Sequence, residues 1–191
     1  MTQAQVRFSS FDDYLSYSDG TDKLYELYNG KLIEVPPESG ENVSIATFLL
    51  LPFVPLVGYL RLRSHGLELE VRGEPRNRYP DLTIIRDEHI PQLQPRNTIR
   101  LSMLPPLLVI EVVIPGELQR DRDYIAKRRQ YEDLGIPEYW IVDPQVQCVI
   151  VLNLQDQVYQ KVGIFQGYSQ IVSPTFPELN LTAETLLNAG H

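Results

Sequence analysis

At 191 residues, 43% hydrophobic and 22% charged, the chain suits one globular domain with a proper core, and its composition excludes neither an enzyme nor a binding protein. The single cysteine, Cys148, excludes an internal disulfide, and the net charge of −8 argues mildly against nucleic-acid binding. That charge is uneven: residues 1–60 carry net −5 and residues 130–191 net −6, whereas residues 61–129 carry 13 basic and 10 acidic side chains, net +3.

In chain order, "DKLYELYNGKLIEVPP" predicts a hairpin around Asn29-Gly30. "ESGENVSIATFLLLPFVPLVGYL" predicts a helix with a polar start near Ser39–Asn42. Its 16-residue apolar stretch is interrupted by Pro52 and Pro55, which reads as a buried, kinked helix rather than a membrane span. "LRLRSHGLELEVRG" alternates, with a turn at His65-Gly66. Leu67, Leu69 and Val71 face one way, Glu68 and Glu70 the other. "YPDLTIIRD" is a short strand with Pro80 at its entry, where a missing N–H is tolerated. Residues 86–105 form a long polar connection with little periodicity, of a length that is often functional or mobile.

A strand over 106–113 follows, then a helix "LQRDRDYIAKRRQYEDLG" stopped by Gly135. "PEYWIVDP" and "QCVIVLNLQDQVYQKVGIF" read as a meander with turns near Asp143-Pro144 and 154–157. The tail ends in a short helix from about Thr182. The order hairpin, helix, strands, helix, strands is that of an α/β (α+β) sheet with a helix on each side.

The strand "LLVIEVVIP" poses a chemical question. Both of its faces are apolar except for Glu111, so it reads as a central strand carrying a buried carboxylate. Such a charge costs several kcal/mol, as an order of magnitude, without a compensating cation, metal or proton. Two companions present themselves. Asp81 begins another apolar strand, and two converging acids retain a proton unless a divalent cation neutralises them. Lys127 shares a helix stripe with Tyr124, Tyr131 and Leu134, so it points toward the sheet, and Asp123 lies within reach at i−4. A structural Glu111–Lys127 ion pair, with Asp81 capping something local, explains the same spacing and stays open. The usual zinc patterns, a G-x-S-x-G elbow and a phosphate loop are all missing. The three histidines are scattered and read as surface residues, and Cys148 as a core residue.

Taken together, "YPDLTII", "LLVIEVVIP" and "DRDYIAKRRQYEDLGIPEYWIVDP" resemble the PD-(D/E)XK superfamily of restriction-endonuclease-like nucleases. More closely they resemble its bacterial Uma-type family, abundant in cyanobacteria. The resemblance implies a mixed β-sheet flanked by helices with an N-terminal hairpin, in one domain over 1–191 with its core at about 24–175. It also implies a metal-dependent site that cleaves DNA phosphodiesters. Asp81 and Glu111 match the two acids, and Lys127 the helix lysine that replaces the usual one, here Val113. A carbonyl near Val112 would join them around Mg²⁺ or Mn²⁺. Glu26 in "YELYNG" matches a recurring glutamate, and Glu70 is a looser candidate. Arg76, Arg78, Arg120 and Arg122 are the expected phosphate contacts. Such nucleases commonly cut duplex DNA as dimers, which implies a homodimer; the single cysteine points to a reducing, cytoplasmic setting, and the proline-broken apolar run to no membrane. One departure stands out: the family's E-V-x-S-P is here E-V-V-I-P, with Ile114 in the serine's place. Alternation puts residue 114 opposite Glu111, which leaves the ligands intact. A catalytically inactive binding or scaffold protein on the same fold is the alternative.

Overall fold

The hydrophobic pattern resolves into a six-stranded sheet with apolar clusters on both faces. The computed structural model describes residues 7–114 and 122–190. The hairpin forms as expected, β1 Tyr25–Tyr28 against β2 Lys31–Glu34, turning at Asn29 and Gly30, both at positive φ. Glycine is required at the second position, since a Cβ on Gly30 would stand 2.7 Å from the Phe8 carbonyl oxygen. A short helix that the sequence reading did not anticipate, α1 Phe11–Leu15, precedes it, with Ser10 and Asp13 forming a capping box.

The main sheet runs β11-β10-β9-β8-β6-β3. Its strands are β3 Leu62–Ser64, β6 Leu82–Ile84, β8 Leu108–Val112, β9 Glu138–Asp143, β10 Cys148–Gln155 and β11 Val158–Phe165. Pairing is parallel between β8 and β9 and antiparallel elsewhere, so the sheet is mixed. β8 is interior, as its two apolar faces predict. Leu108, Ile110 and Val112 enter one core cluster and Val109 and Val113 the other. The first cluster is covered by α2 Gly40–Phe48, α3 Leu50–Val57 and the terminal α6 Ala183–Leu187. Over the second lies a π-helical stretch, Arg122–Lys127, that continues as α5 Arg128–Leu134 and ends at Gly135 in the left-handed region.

The turn at His65-Gly66 forms, with both residues at positive φ, but the strands on either side of it do not pair with each other. β4 Glu68–Glu70 leaves the main sheet and joins a small one with β5 Asn77–Arg78 and β7 Thr98–Ile99. The 86–105 connection is not a loose loop, for it contains α4 His89–Gln92 and β7, which pairs in parallel with β4. His89 is buried, and its ring hydrogen-bonds the Leu104 carbonyl oxygen at 2.9 Å. The 40–57 segment is not wholly buried. It breaks at Leu49, and while Ile45, Ala46, Leu49 and Phe53 enter the core, Leu51 is 67% exposed and Tyr59 just beyond it 73%. By length and composition alone Gly40–Val57 suffices to cross a bilayer, but its inner face belongs to the core.

The small sheet buries acids, which demand partners. The Glu68 carboxylate accepts from Tyr14 (2.8 Å), Tyr79 (3.0 Å), Asn77 (2.6 Å), Thr98 (2.7 Å) and Arg96 (3.3 Å). This network holds the Tyr79 ring two residues before Asp81. Glu68→Ala orphans several buried donors at once. A loss of about 3 kcal/mol or more is expected, read as a lowered urea midpoint at unchanged slope. An unchanged midpoint removes the network from the stability account.

Candidate active site

The register that pairs Leu82 with Ile110 sets Asp81 alongside Glu111 at the end of the two central strands. Continuing it puts Pro80 opposite Val112. Proline has no N–H to give the Val112 carbonyl, and in the structure both backbone groups of Val112 bond side chains. Its N–H donates to Asp81 Oδ2 at 2.6 Å, and its carbonyl accepts from Asn42 Nδ2, in the first turn of α2, at 3.2 Å.

Glu111 is 1% exposed. Lys127 Nζ donates to its Oε2 at 2.7 Å, and Tyr131 OH to its Oε1 at 2.5 Å. Both donors come from the helix stripe read in the sequence, and Lys127 is 9% exposed. The π-helical turn ends at Lys127, and such turns are frequent at functional sites. Asp81 is 5% exposed. Burial first, then the neighbouring Glu111 and Glu38, pushes its pKa well above the usual carboxylate range. Lys127 and the Val112 N–H pull only partly the other way. Burial and the same glutamate raise the Tyr131 phenol too, so it remains a donor.

These groups line one small cavity of about 20 Å³, room for a single water-sized guest. Glu26, Val35, Pro36, Glu38, Tyr79 and Ile114 complete its walls. Asp81, Glu111, Lys127, Val112 and Glu26 therefore meet as the sequence reading expects. Glu26 is held there by Arg78 at 3.1 Å. Glu70 does not join them; it pairs with Arg100 at 2.6 Å and accepts from the Leu101 N–H. Arg78 is no phosphate contact, being buried between Glu26 and Gln130. Arg76 lines a separate hollow with Arg7, Asn29 and Glu74. Arg120 and the side chains of Arg122 and Asp123 lie outside the described residues.

Ile114 is a further correction. β8 ends at Val112, so strict alternation no longer governs residue 114, and Ile114 is among the residues that line the same cavity as Glu111. Tyr131, Asn42 and Glu38 went unrecognised. Tyr131 was visible as an aromatic of the right stripe, but nothing in its spacing says that its hydroxyl meets a carboxylate.

The donor chemistry fits a hard divalent cation. Magnesium is commonly held by one or two carboxylates with water and phosphate oxygens completing the shell. Asp81 and Glu111 supply two carboxylates, and Val112 keeps a second lone pair on its carbonyl. No three Asp, Glu, His or Cys side chains among the described residues form a ready cage. Exogenous oxygens would therefore make up the remainder of the shell.

The raised pKa of Asp81 has a thermodynamic consequence. Its folded-state value lies above its unfolded one, so stability is greatest below the unfolded value and falls as pH rises through the folded one. Asp81→Asn removes that loss while keeping an acceptor for the Val112 N–H. In EDTA the variant is expected to melt above wild type at pH 8, with the gap closing toward pH 4. A wild type that melts higher at pH 8, or a gap indifferent to pH, contradicts the assignment.

Comparison with curated proteins finds no match. A crystal structure from Anabaena variabilis ATCC 29413, described as "a putative nuclease belonging to DUF820", aligns with TM-score 0.71 and 19% identity, over 95% of this chain and 99% of that one. At that identity the likeness shows a shared fold. The model of the Uma2 family, described as "Putative restriction endonuclease", matches residues 11–184. With nine-tenths of its length matched in this way, the chain belongs to the Uma2 family.

Proposed function

We propose that this protein is a metal-dependent endonuclease that hydrolyses DNA phosphodiester bonds at the cavity beneath Asp81 and Glu111. The observation that carries this reading is the convergence of two buried cross-strand acids with one buried ammonium from the facing helix. Two adjacent carboxylates are a ligand set that suits a divalent cation. Mg²⁺ or Mn²⁺ held by Asp81 and Glu111, with Val112 O and Glu26 beside it, would supply Lewis-acid activation of phosphate and a more acidic bound water.

The chain's own groups do the positioning. The Val112 N–H fixes one oxygen of Asp81, and Tyr131 fixes one of Glu111, so neither carboxylate rotates freely. Lys127 donates to Glu111 and lines the cavity, so its ammonium would stand near an incoming phosphate, where negative charge grows in the transition state. A homodimer with one site per strand is part of the same proposal.

A second reading has a specific observation behind it. The apolar Ile114 in the cavity wall favours a catalytically inactive scaffold that keeps the fold. The two separate on Mn²⁺ binding, followed by electron paramagnetic resonance, and on cleavage of a labelled oligonucleotide. The nuclease binds Mn²⁺ and cuts, and Glu111→Gln loses both by about a hundredfold. Lys127→Met, which leaves the buried glutamate without its ammonium, also costs about 3 kcal/mol of stability. A scaffold neither binds nor cuts. If Ile114→Ser alone then gains cleavage, the isoleucine is what silences the site.

A further inference from the structure

The acids sit deep. A second hollow of about 290 Å³ opens directly onto their cavity, sharing Val35, Pro36, Glu38, Tyr79 and Asp81 with it. Its other walls include Leu24, Val43 and His65. A volume near the lower end for small-molecule sites, about 300–1,000 Å³, suits one nucleoside-sized group. Its lining is aromatic and aliphatic except where it meets the acids. Tyr79 is a fixed wall, its hydroxyl tied to Glu68 at 3.0 Å and Tyr14 at 3.1 Å. His65 stands at the exposed rim in a left-handed turn, φ 41°, beside Gly66.

We infer that this hollow takes an unpaired nucleobase next to the scissile phosphate, so that the substrate strand is single-stranded, or locally unpaired, where it is cut. This deepens the proposed function and rests on it for the phosphate's place. Depth makes the argument. Asp81 and Glu111 are 5% and 1% exposed, and among the described residues the hollow that shares Asp81 with their cavity offers a phosphate a way down to them. Duplex DNA is stiff over about 150 base pairs and keeps each phosphate in line with its neighbours. Enzymes that act at buried sites take the nucleotide out of the stack or use single strands. An apolar, aromatic-walled hollow beside the site compensates for lost stacking and does so for any base. The duplex expected from the family resemblance is thereby narrowed to an opened strand.

The probe is a 12-nucleotide strand carrying one central 2-aminopurine, alone or in a blunt duplex, titrated in Ca²⁺. The single strand is expected to bind about tenfold or more tightly than the duplex, as loss of one stacking contact predicts, with its fluorescence quenched on binding. Val43→Trp, which fills the hollow from the exposed side of α2, and His65→Asn, which tolerates the left-handed backbone, each reduce that preference severalfold. Equal or tighter duplex binding, or single-strand affinity unchanged in both variants, overturns the inference. Failure of the nuclease reading looks different: the single strand still binds preferentially, yet Mn²⁺ leaves it uncut. If duplex binds as well as single strand and is cut, the nuclease stands and the base subsite falls. Binding of neither DNA sinks both.

Discussion

The burial of Glu111 in the middle of the central strand is the constraint from which the arrangement around the site follows. A carboxylate at that depth is tolerated only with strong donors on both oxygens. The helix after β8 is therefore obliged to turn Lys127 and Tyr131 inward, at 2.7 Å and 2.5 Å, instead of presenting a purely apolar face. Asp81, set beside it by the sheet register, adds a second buried carboxylate. Replacing such a group of charges with apolar residues generally stabilises a fold or leaves it unaffected. Their presence is thus poorly explained by stability alone, and the geometry turns attention to chemistry.

The mildly basic middle of the chain takes on a different meaning in the structure. Its arginines are largely occupied in holding the fold. Arg78 binds Glu26 and Gln130, Arg96 binds Glu68, and Arg100 bridges Glu70 and Asp12. Arg61 reaches the Ile85 carbonyl and Arg86 that of Pro105. A net excess of +3 over 61–129 is therefore not a DNA-binding face among the described residues. These arginines neutralise acids buried in the small sheet and in β1. Under the proposed function, attraction for a phosphate would come at the cavity, from a held cation and Lys127, more than from these arginines.

Periodicity made the main sheet legible because strands buried on both sides read as apolar runs interrupted only where chemistry intervenes, as at Glu111. It made Lys127 legible because one helix stripe carried a charge among aromatics. Alternation says which way a side chain faces but not which strand it pairs with. Hence β3 and β4, continuous in pattern across His65-Gly66, were not separable into two sheets. Parity also fails where a strand stops, which is why Ile114 was assigned to the wrong side. The arginine roles were illegible for a related reason, since their partners lie on average dozens of residues away, as Arg100 and Asp12 do.

Pro80 links these observations. In the middle of a sheet a proline is a defect, because it leaves the opposite carbonyl without a donor. At the last rung of the β6–β8 pairing the same property is useful. Val112 is released from the ladder at the point where the strand meets the cavity. Its N–H is then available to orient Asp81, the residue that directly follows the proline, and its carbonyl is available to Asn42, which anchors the start of α2 over the site. The dipeptide Pro80-Asp81 thus ends the sheet and supplies the group that uses the end. An ordinary residue at position 80 offers an N–H to that carbonyl and competes there with Asn42. The cavity walls contributed by Glu38 and Pro36 depend on the first turn of α2 staying in place.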